Sequence, residues 1–328
     1  MKQNIAHLLQ LCSGAKTILL TGPIFPDGDS IGACLALREL LTNKTIAQID
    51  LTGKITFHYQ WMHNIELFKP DTHLQDSYDI AIILDGDRNR LPVEITEIFN
   101  TSRQTILIDH HFSTNPAEYD LALLDFKASS TCEIIYQIME EWQLPLTKSL
   151  GEALYTGFIF DTGGFRHSNT TPKTHRLAAK LLETGIDQSW ITAKVLMERQ
   201  ASGLLLLEHC LSQRQRLANG KVHFAFLSQN AFQRYSCTQG DTEGLVDVLL
   251  YVTDVELACL GIEQPDGRVK ISLRSRSDIN VAQLAKILHS EGGGHLRASG
   301  AMLSKTLEEA KLFVPIHLEQ AILNQQKT

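Results

Sequence analysis

Three apolar runs that each end in carboxylate side chains limit the fold of this chain more than any other feature. The runs are TILLTG at 17–22, which leads into PDGD, DIAIILDGD at 79–87 and QTILIDHHF at 104–112. Continuous isoleucine and leucine runs, separated by helical patterns, are typical of a parallel sheet with helices on both faces. Ligands bind such sheets at the carboxyl ends of the strands. The sequence therefore predicts an α/β fold with an acidic rim along one edge of the sheet.

The pattern changes after the first half of the chain. We expect a first domain at 1–187 that carries the mostly parallel sheet and the rim, and a helical linker at 188–219. Runs at 220–328 alternate between β-rich and helical patterns, with one helix expected at 241–251. This second region is expected to form a smaller α+β domain.

Charge and cysteine usage exclude several classes of protein. The net charge of the 328 residues is -7 at pH 7, which argues against coating of long duplexes but permits a small nucleotide ligand. No signal peptide and no apolar run long enough to span a bilayer are found, so we expect a cytoplasmic protein without a membrane segment. The six cysteines are scattered, with no CxxC pair, which argues against a disulfide framework or a zinc site.

The rim carries too many charged groups to be held without compensation. A fourth segment adds a further aspartate just before a Gly-Gly pair, where we expect an irregular, exposed turn. Seven side chains are placed together in this way: Asp27, Asp29, Asp85, Asp109, His110, His111 and Asp161. Clustered carboxylates repel one another and are costly to bury. Oxygen ligands with imidazoles and no thiolate suit Mn²⁺ or Mg²⁺ better than Fe²⁺ or Zn²⁺, so we expect a divalent metal here.

Each motif has a simpler interpretation when it is taken alone. An Asp-Gly-Asp sequence after a strand is usually a turn that caps the next helix, and this holds for the motifs at 27–29 and 85–87. Two adjacent histidines in an irregular turn seldom serve packing. The presence of all three motifs on one rim favours the metal site, and two metal ions about 3.5–4 Å apart are the usual clamp for phosphoryl hydrolysis.

These motifs resemble those of a known family. The segments that resemble the four phosphoesterase motifs of the DHH superfamily are PDGDSIGA (26–33), LDGD (84–87), DHH (109–111) and DTGGFR (161–166). SLRSR at 272–276 and GGGHLRASG at 292–300 are similar to the DHH-associated C-terminal domain. The resemblance covers nearly the whole chain and indicates the stand-alone bacterial nanoRNase/pAp-phosphatase type. It implies hydrolysis of short oligonucleotides, of 3′-phosphoadenosine 5′-phosphate (pAp), or of linear or cyclic dinucleotides, in a cleft between two domains.

The resemblance implies a role for each metal ligand. One Mn²⁺ would be held by Asp29, Asp85, His110 and Asp161, and the other by Asp27 together with Asp85, which would bridge the two ions. The attacking water would lie between the ions, because metal binding lowers its pKa toward neutrality.

The remaining site residues act around the metals in this interpretation. With Asp85 and His110, the catalytic candidates are His111, which would face the scissile phosphate, and Asp109, which would orient a ligand. The candidates for binding one end of a short substrate lie in the second domain: Arg274, Arg276, Gly293, Gly294 and His295. The arginines share one face of a predicted strand, and the glycines allow backbone N–H groups to converge on an anion.

Pro23 is the position where the chain departs from the family pattern. The family normally has a histidine four residues before the first aspartate, Asp27, and proline offers no ligand atom. We therefore expect one complete metal site and a second, weaker one, held partly by water and substrate phosphate.

The loss of a ligand leaves a second function open. The alternative to a phosphoesterase is a catalytically weakened nucleotide-binding protein, which is disfavoured because the other rim residues all remain. A polyphosphatase or pyrophosphatase is disfavoured by the GGGH signature, and a long-strand exonuclease by the missing extra domains. The preferred substrate, the cleavage polarity, the physiological metal and the oligomeric state, with a homodimer among the alternatives, are left open by the sequence.

Overall fold

The computed structural model describes residues 1–111 and 114–325. The chain divides into two compact units, Met1–Glu198 and Arg199–Thr328. Each unit has its own six-stranded sheet. The domain and linker boundaries expected from the sequence remain a prediction. Within the described residues, the helices are too short or too polar to cross a bilayer.

The first unit is built on a parallel sheet. Its strands are β1 (Thr17–Thr21), β2 (Gln48–Thr52), β3 (Phe68–Lys69), β4 (Ile80–Leu84), β5 (Gln104–Asp109) and β6 (Leu121–Leu124). Their order in the sheet is β3-β2-β1-β4-β5-β6, and every neighbouring pair is parallel. The order reverses between β1 and β4, so the carboxyl ends of these two strands border the crevice in which such sheets bind ligands.

Helices cover both faces of this sheet. They are α1 (Lys2–Gly14), α2 (Gly28–Thr42), α3 (Val93–Thr101), α4 (Thr131–Glu141), α5 (Lys148–Asp161), α6 (Pro172–Leu182) and α7 (Gln188–Leu196). Ile18 and Leu20 pack into the core that contains α2, α4 and α5. Leu19, between them, packs with Phe99 of α3 on the opposite face. Because successive strand residues point to opposite faces, burial of both faces explains why the strands are continuously apolar.

Two glycines bring α2, α4 and α5 into close contact. A Cβ atom on Gly32 of α2 would lie 3.2 Å from Sγ of Cys132, and closer still to the carbonyl oxygen of Ala153 in α5. A Cβ atom on Gly157 of α5 would lie 2.9 Å from Cβ of Cys132 and would overlap the carboxylate of Asp29. Both are closer than ordinary van der Waals contact. The absence of a side chain at these positions therefore lets the first turns of α2 and α4 meet at α5.

The second unit has a mixed sheet. Its strands are β7 (Gln215–Leu217), β8 (Val222–Leu227), β9 (Leu257–Glu263), β10 (Val269–Ser275), β11 (Gly293–Gly294) and β12 (Ala298–Leu303). The order is β11-β12-β10-β9-β8-β7, with β8 and β9 parallel and the other pairs antiparallel. Its helices are α8 (Ala201–Ser212), α9 (Gln229–Tyr235), α10 (Leu245–Val248), α11 (Val281–Leu288) and α12 (Leu307–Gln325).

The two predicted sheet architectures are confirmed, and one predicted helix is wrong. The described chain has a parallel α/β unit followed by an α+β unit. The helix expected at 241–251 is interrupted: a 3₁₀ turn at Gln239–Thr242 precedes the four-residue α10. Gly244 adopts φ 70° between them. This left-handed conformation cannot continue a right-handed helix.

Candidate metal centre

Asp27 starts helix α2. Its Oδ1 accepts hydrogen bonds from the backbone N–H groups of Asp29 (3.0 Å) and Ser30 (3.1 Å), and the Ser30 hydroxyl accepts one from the Asp27 N–H at 2.9 Å. This reciprocal pair is a capping box. The simple interpretation of the first Asp-Gly-Asp motif is therefore correct for Asp27, whose side chain also lies next to the buried Asp29.

Asp29 is fully buried and held by the start of α4. Its Oδ2 accepts a hydrogen bond from the N–H of Thr131 at 2.6 Å, and its Oδ1 accepts one from the N–H of Cys132 at 2.9 Å. Unpaired N–H groups and the helix dipole make a helix N-terminus a favourable place for a carboxylate. Burial nevertheless raises the pKa of Asp29 well above its ordinary value, and the negative charges of Asp85 and Asp161 raise it further.

Asp85 follows β4 in a strained backbone conformation. Its φ is 63°, a left-handed value that costs about 1–3 kcal/mol for a residue with a side chain and is concentrated at functional sites. Its Oδ1 accepts a hydrogen bond from the Thr131 hydroxyl at 3.1 Å. Burial raises the pKa of Asp85, but the hydrogen bond from His110 and the positive charges of His111, His110 and Arg90 outweigh it and lower the pKa.

The imidazole of His110 faces the carboxylates. Its Nε2 lies 3.0 Å from Oδ2 of Asp161, 3.5 Å from Oδ1 of Asp85 and 4.0 Å from Oδ2 of Asp29. On the other side of the ring, Nδ1 lies 3.4 Å from the carbonyl oxygen of Ala128. Burial lowers the pKa of His110, but Asp161 and Asp85 outweigh this effect and raise it. The ring is thereby fixed with one nitrogen directed at the acidic cluster.

Asp109 serves as a hydrogen-bonding hub at the end of β5. Its Oδ1 accepts the N–H of His110 at 2.8 Å and lies 2.7 Å from Nδ1 of His111, while its Oδ2 accepts the hydroxyl of Thr114 at 2.5 Å. Burial raises the pKa of Asp109, but the positive charge of His111 and the hydrogen bonds from His111 and Thr114 outweigh it and lower the pKa. The carboxylate therefore holds the backbone of His110 and orients the ring of His111.

Asp161 is the last residue of α5, so the exposed turn expected for it was wrong. The side chain is 18% exposed. The irregular backbone begins at Gly163 and Gly164, whose φ values are 56° and 71°. The carbonyl oxygen of Asp161 accepts a hydrogen bond from Nδ2 of Asn169 at 3.1 Å, and the same amide nitrogen donates to the carbonyl oxygen of Ser129 at 2.9 Å.

Two contributors to this cluster were not found from the sequence. Asn169 joins the end of α5 to the loop before α4, but a single asparagine in SNTT carries no signal of that role. Thr131 stands next to Ser130, which caps α4 by accepting the N–H of Glu133 at 3.2 Å. Thr131 instead donates to Asp29 and Asp85, and its backbone N–H contact cannot be recognised from side-chain chemistry.

The cluster fits one divalent cation. Ligand atoms of Asp29, Asp85 and His110 all lie within 4.8 Å of one another, and Asp161 adjoins the same His110 nitrogen. Three carboxylates and one imidazole without a thiolate suit Mn²⁺ or Mg²⁺. A cation would also offset the repulsion that raises the pKa of Asp29. The structure thus brings together the four side chains predicted for the complete site.

The place predicted for the second cation has fewer ligand atoms than the first site. Pro23 offers no ligand atom, which leaves Asp27 and Asp85 as the predicted carboxylates. A Cβ atom on Gly86 would lie 3.7 Å from Cβ of Pro23 and 3.8 Å from Nη1 of Arg90. An arginine therefore lies near the proline, beside Asp85.

The two arginines predicted to bind substrate have partners within the second unit. Nε of Arg274 lies 2.9 Å from Oδ1 of Asp247. The guanidinium of Arg276 donates to the carbonyl oxygens of Val252 and Thr253, both at 3.3 Å, and of Leu250. Arg276 therefore stabilises the loop after α10.

The predicted glycine loop is partly a strand. Gly293 and Gly294 pair with β12, and the N–H of His295 donates to the carbonyl oxygen of Ala298 at 2.8 Å. A Cβ atom on Gly294 would lie 2.7 Å from that same oxygen, and Gly294 adopts φ 134°. Close backbone packing accounts for this glycine; the predicted contact of the segment with substrate stays a prediction.

Comparison with known proteins adds independent findings. Residues 17–158 match the family model of the DHH family, N-terminal domain, and residues 219–319 match that of the DHHA1 domain. The chain is 28% identical over 287 residues to the probable bifunctional oligoribonuclease and PAP phosphatase NrnA of Streptococcus mutans, which covers 87% of this chain and 89% of the relative. It is 26% identical to the cyclic-di-AMP phosphodiesterase GdpP of Bacillus subtilis, over 97% of this chain and 50% of that protein.

One solved structure is similar to this protein over nearly the whole length of both chains. The crystal structure of an exopolyphosphatase-related protein from Bacteroides fragilis matches with a TM-score of 0.84 and 25% identity, covering 99% of this chain and 96% of the other. The similarity extends through both units, including the region that follows the first domain match.

Proposed function

The chain belongs to the DHH superfamily, and from this premise we propose that it hydrolyses phosphate esters of short nucleotides at the cluster of Asp29, Asp85, His110 and Asp161. The observation that carries the proposal is the convergence of these side chains, three of them buried, at the carboxyl edge of the parallel sheet. The names of the relatives, an oligoribonuclease and PAP phosphatase and a cyclic-di-AMP phosphodiesterase, support nanoRNA, pAp and dinucleotides as the substrate class.

The enzyme depends on a divalent metal, and we propose Mn²⁺ in the complete site, with Mg²⁺ or another divalent ion as the alternative. A bound ion would polarise a phosphoryl oxygen and lower the pKa of a water molecule. The protein's own part is to hold the carboxylates in place: the amides of α4 fix Asp29 and the Thr131 hydroxyl fixes Asp85. Ala128 and Asp161 set the orientation of His110.

His111 is proposed to contact the scissile phosphate. Its Nδ1 lies 2.7 Å from Asp109, and its side chain is 20% exposed, in contrast to the buried His110. A histidine whose Nδ1 is held by a carboxylate keeps a defined ring orientation and presents Nε2 to a ligand. Asp109 therefore acts as a positioning residue, which agrees with its complete set of protein hydrogen bonds.

The second unit is proposed to bind one end of the substrate. Arg274 is the stronger candidate of the two arginines, because a phosphate can replace its single carboxylate partner, Asp247. Arg276 would have to release three carbonyl oxygens. Gly293, Gly294 and His295 would contribute backbone and imidazole donors. The negative charge of the chain agrees with a short substrate.

Two further properties are also proposals. All six thiols are free and mostly buried, which supports a reducing compartment such as the cytoplasm. A homodimer remains a prediction.

The test is a Mn²⁺-dependent assay of the purified protein with dinucleotides, pAp, pApA and cyclic di-AMP. Asp85→Asn is the control, because it keeps the size of the side chain and removes the charge at the centre of the cluster. Metal-dependent turnover of at least one substrate, lost in Asp85→Asn, is expected. Binding without turnover of any of them would favour the alternative, a nucleotide-binding protein weakened by Pro23.

A further inference from the structure

Arg90 lies where the loops after β1 and β4 meet. The N–H of Ile24, next to Pro23, donates a hydrogen bond to the carbonyl oxygen of Arg90 at 2.7 Å. The Arg90 N–H in turn donates to the carbonyl oxygen of Asp87 at 3.0 Å. These bonds fix the arginine beside the proline that stands at the family's histidine position.

The side chain of Arg90 lies beside Gly86. Nη1 and Cδ of Arg90 both lie 3.8 Å from the point where a Cβ atom on Gly86 would stand, and Pro23 lies 3.7 Å from the same point. Gly86 directly follows Asp85, the carboxylate that both predicted metal sites share. The charge of Arg90 is close enough to contribute to the low pKa of Asp85. A cation of the protein thus lies beside Asp85 on the side of Pro23.

The neighbouring arginine on the same 3₁₀ turn, Arg88–Arg90, has a different environment. Nη2 of Arg88 donates to the side chain of Asn100 in α3, and the Arg88 N–H donates to the hydroxyl of Tyr119 at 2.9 Å. Arg90 is exposed, and no ion pair or side-chain hydrogen bond of its guanidinium is found among the described residues. The turn therefore presents one arginine that supports the fold and one that is accessible to a ligand.

We propose that Arg90 supplies from the protein itself the positive charge that a second metal ion would bring, by binding a phosphate oxygen of the nucleotide beside Asp85. The chain then holds one divalent ion tightly at Asp29, Asp85, His110 and Asp161. This rests on the proposed function for the identity of the substrate. A guanidinium matches phosphate geometry with paired N–H donors, and its fixed charge disfavours a second cation at Asp27 and Asp85.

The test uses two binding measurements that need no turnover. Isothermal titration calorimetry with Mn²⁺ alone gives the number of tightly bound ions per chain. A second titration, with inorganic phosphate at saturating Mn²⁺, gives the affinity for the anion. The variants are Arg90→Gln, the matched control Arg88→Gln, Pro23→His, and Pro23→His combined with Arg90→Gln. Thermal unfolding of each variant shows whether it is folded.

The expected results separate Arg90 from its neighbour. The parent protein binds one Mn²⁺ tightly, and Arg90→Gln weakens phosphate binding by roughly tenfold to a hundredfold, the loss of a charge-assisted hydrogen bond. Arg88→Gln leaves phosphate binding at the parent value, and the double variant binds two Mn²⁺ ions tightly. Two tight ions in the parent protein, or unchanged phosphate affinity in Arg90→Gln, would overturn the inference. A parent protein that gives the expected binding results but hydrolyses no nucleotide would refute the proposed function alone.

Discussion

Replacement of Gly157 by alanine tests whether the close packing of α5 against α2 and α4 holds the metal ligands in place. The new methyl group would lie 2.9 Å from Cβ of Cys132 and would overlap Oδ1 of Asp29 and Sγ of Cys132. These atoms belong to the fully buried first turns of two helices, so the carboxylate of Asp29 has to move. In a helix where the methyl group meets no other atom, replacement of glycine by alanine would instead stabilise the helix.

The magnitude follows from two opposing effects. Overpacking of a core costs about 1–3 kcal/mol, and alanine recovers about 1 kcal/mol of helix propensity over glycine. Gly157→Ala is therefore expected to lose up to about 2 kcal/mol of unfolding free energy without metal. The displaced Asp29 should also weaken Mn²⁺ binding. A cation at 100 times its Kd adds about 2.7 kcal/mol to stability, and each tenfold loss of affinity removes about 1.4 kcal/mol of this.

The assay is urea unfolding with and without saturating Mn²⁺. Gly14→Ala is the matched control, since Gly14 ends α1 and, apart from its chain neighbours and the backbone of its own helix, no heavy atom lies within 4 Å of the point that its new methyl group would occupy. The control should keep the full stabilisation by Mn²⁺, and Gly157→Ala should lose most of it. An equal stabilisation by Mn²⁺ in both variants would refute the role of this packing in forming the site.

Three further predictions concern other parts of the first unit. Asn169→Ala should weaken Mn²⁺ binding and cost about 1–3 kcal/mol of unfolding free energy, because the carbonyl oxygen of the buried Ser129 loses its side-chain donor and that of Asp161 keeps only the contact with Nδ1 of His167; unchanged calorimetric titration and urea midpoint would contradict this. Burial raises the pKa of Asp50, but hydrogen bonds from Lys69, Tyr78 and Gln48 outweigh it and lower the pKa. Its stabilising contribution should be complete above the ordinary aspartate pKa of about 4 and lost as the pH falls through the lower, folded-state value, so Asp50→Asn should show a shallower loss of stability below pH 4 than the parent protein. Pro23→His should raise activity at limiting Mn²⁺ when it is combined with Arg90→Gln, which removes the charge that disfavours a second cation, and an unchanged metal dependence of the double variant would argue against a missing ligand.

The sequence predicts those parts of the fold that depend on local pattern. The strands that end at Thr21, Leu84 and Asp109 are recognisable because burial on both faces requires continuous apolar residues. The start of α6 follows from Thr171, which accepts the N–H of Thr174 at 3.2 Å, and from Pro172 in the first turn. Because the carboxyl ends of parallel strands share one edge of a sheet, sequence alone is enough to place the acidic residues together.

Contacts made by backbone atoms or by distant side chains could not be predicted. The amides that bind Asp29 belong to residues about 100 positions away, and any residue other than proline offers the same N–H group. The hydrogen bonds of Arg276 likewise depend on the carbonyl oxygens of the loop after α10. That loop could not be predicted, because the sequence indicates a continuous helix over 241–251. Arg90 lies near Pro23 because the N–H of Ile24 donates to its carbonyl oxygen. Neither the PDGD motif nor the LDGD motif predicts this backbone contact between two loops.

The most direct test of the central claim is anomalous diffraction from crystals grown with Mn²⁺. The account predicts a strong anomalous peak within bonding distance of Nε2 of His110 and of carboxylate oxygens of Asp29, Asp85 and Asp161, with a weaker peak or none beside Asp27. A strong peak elsewhere in the chain, with none next to Nε2 of His110, would contradict it.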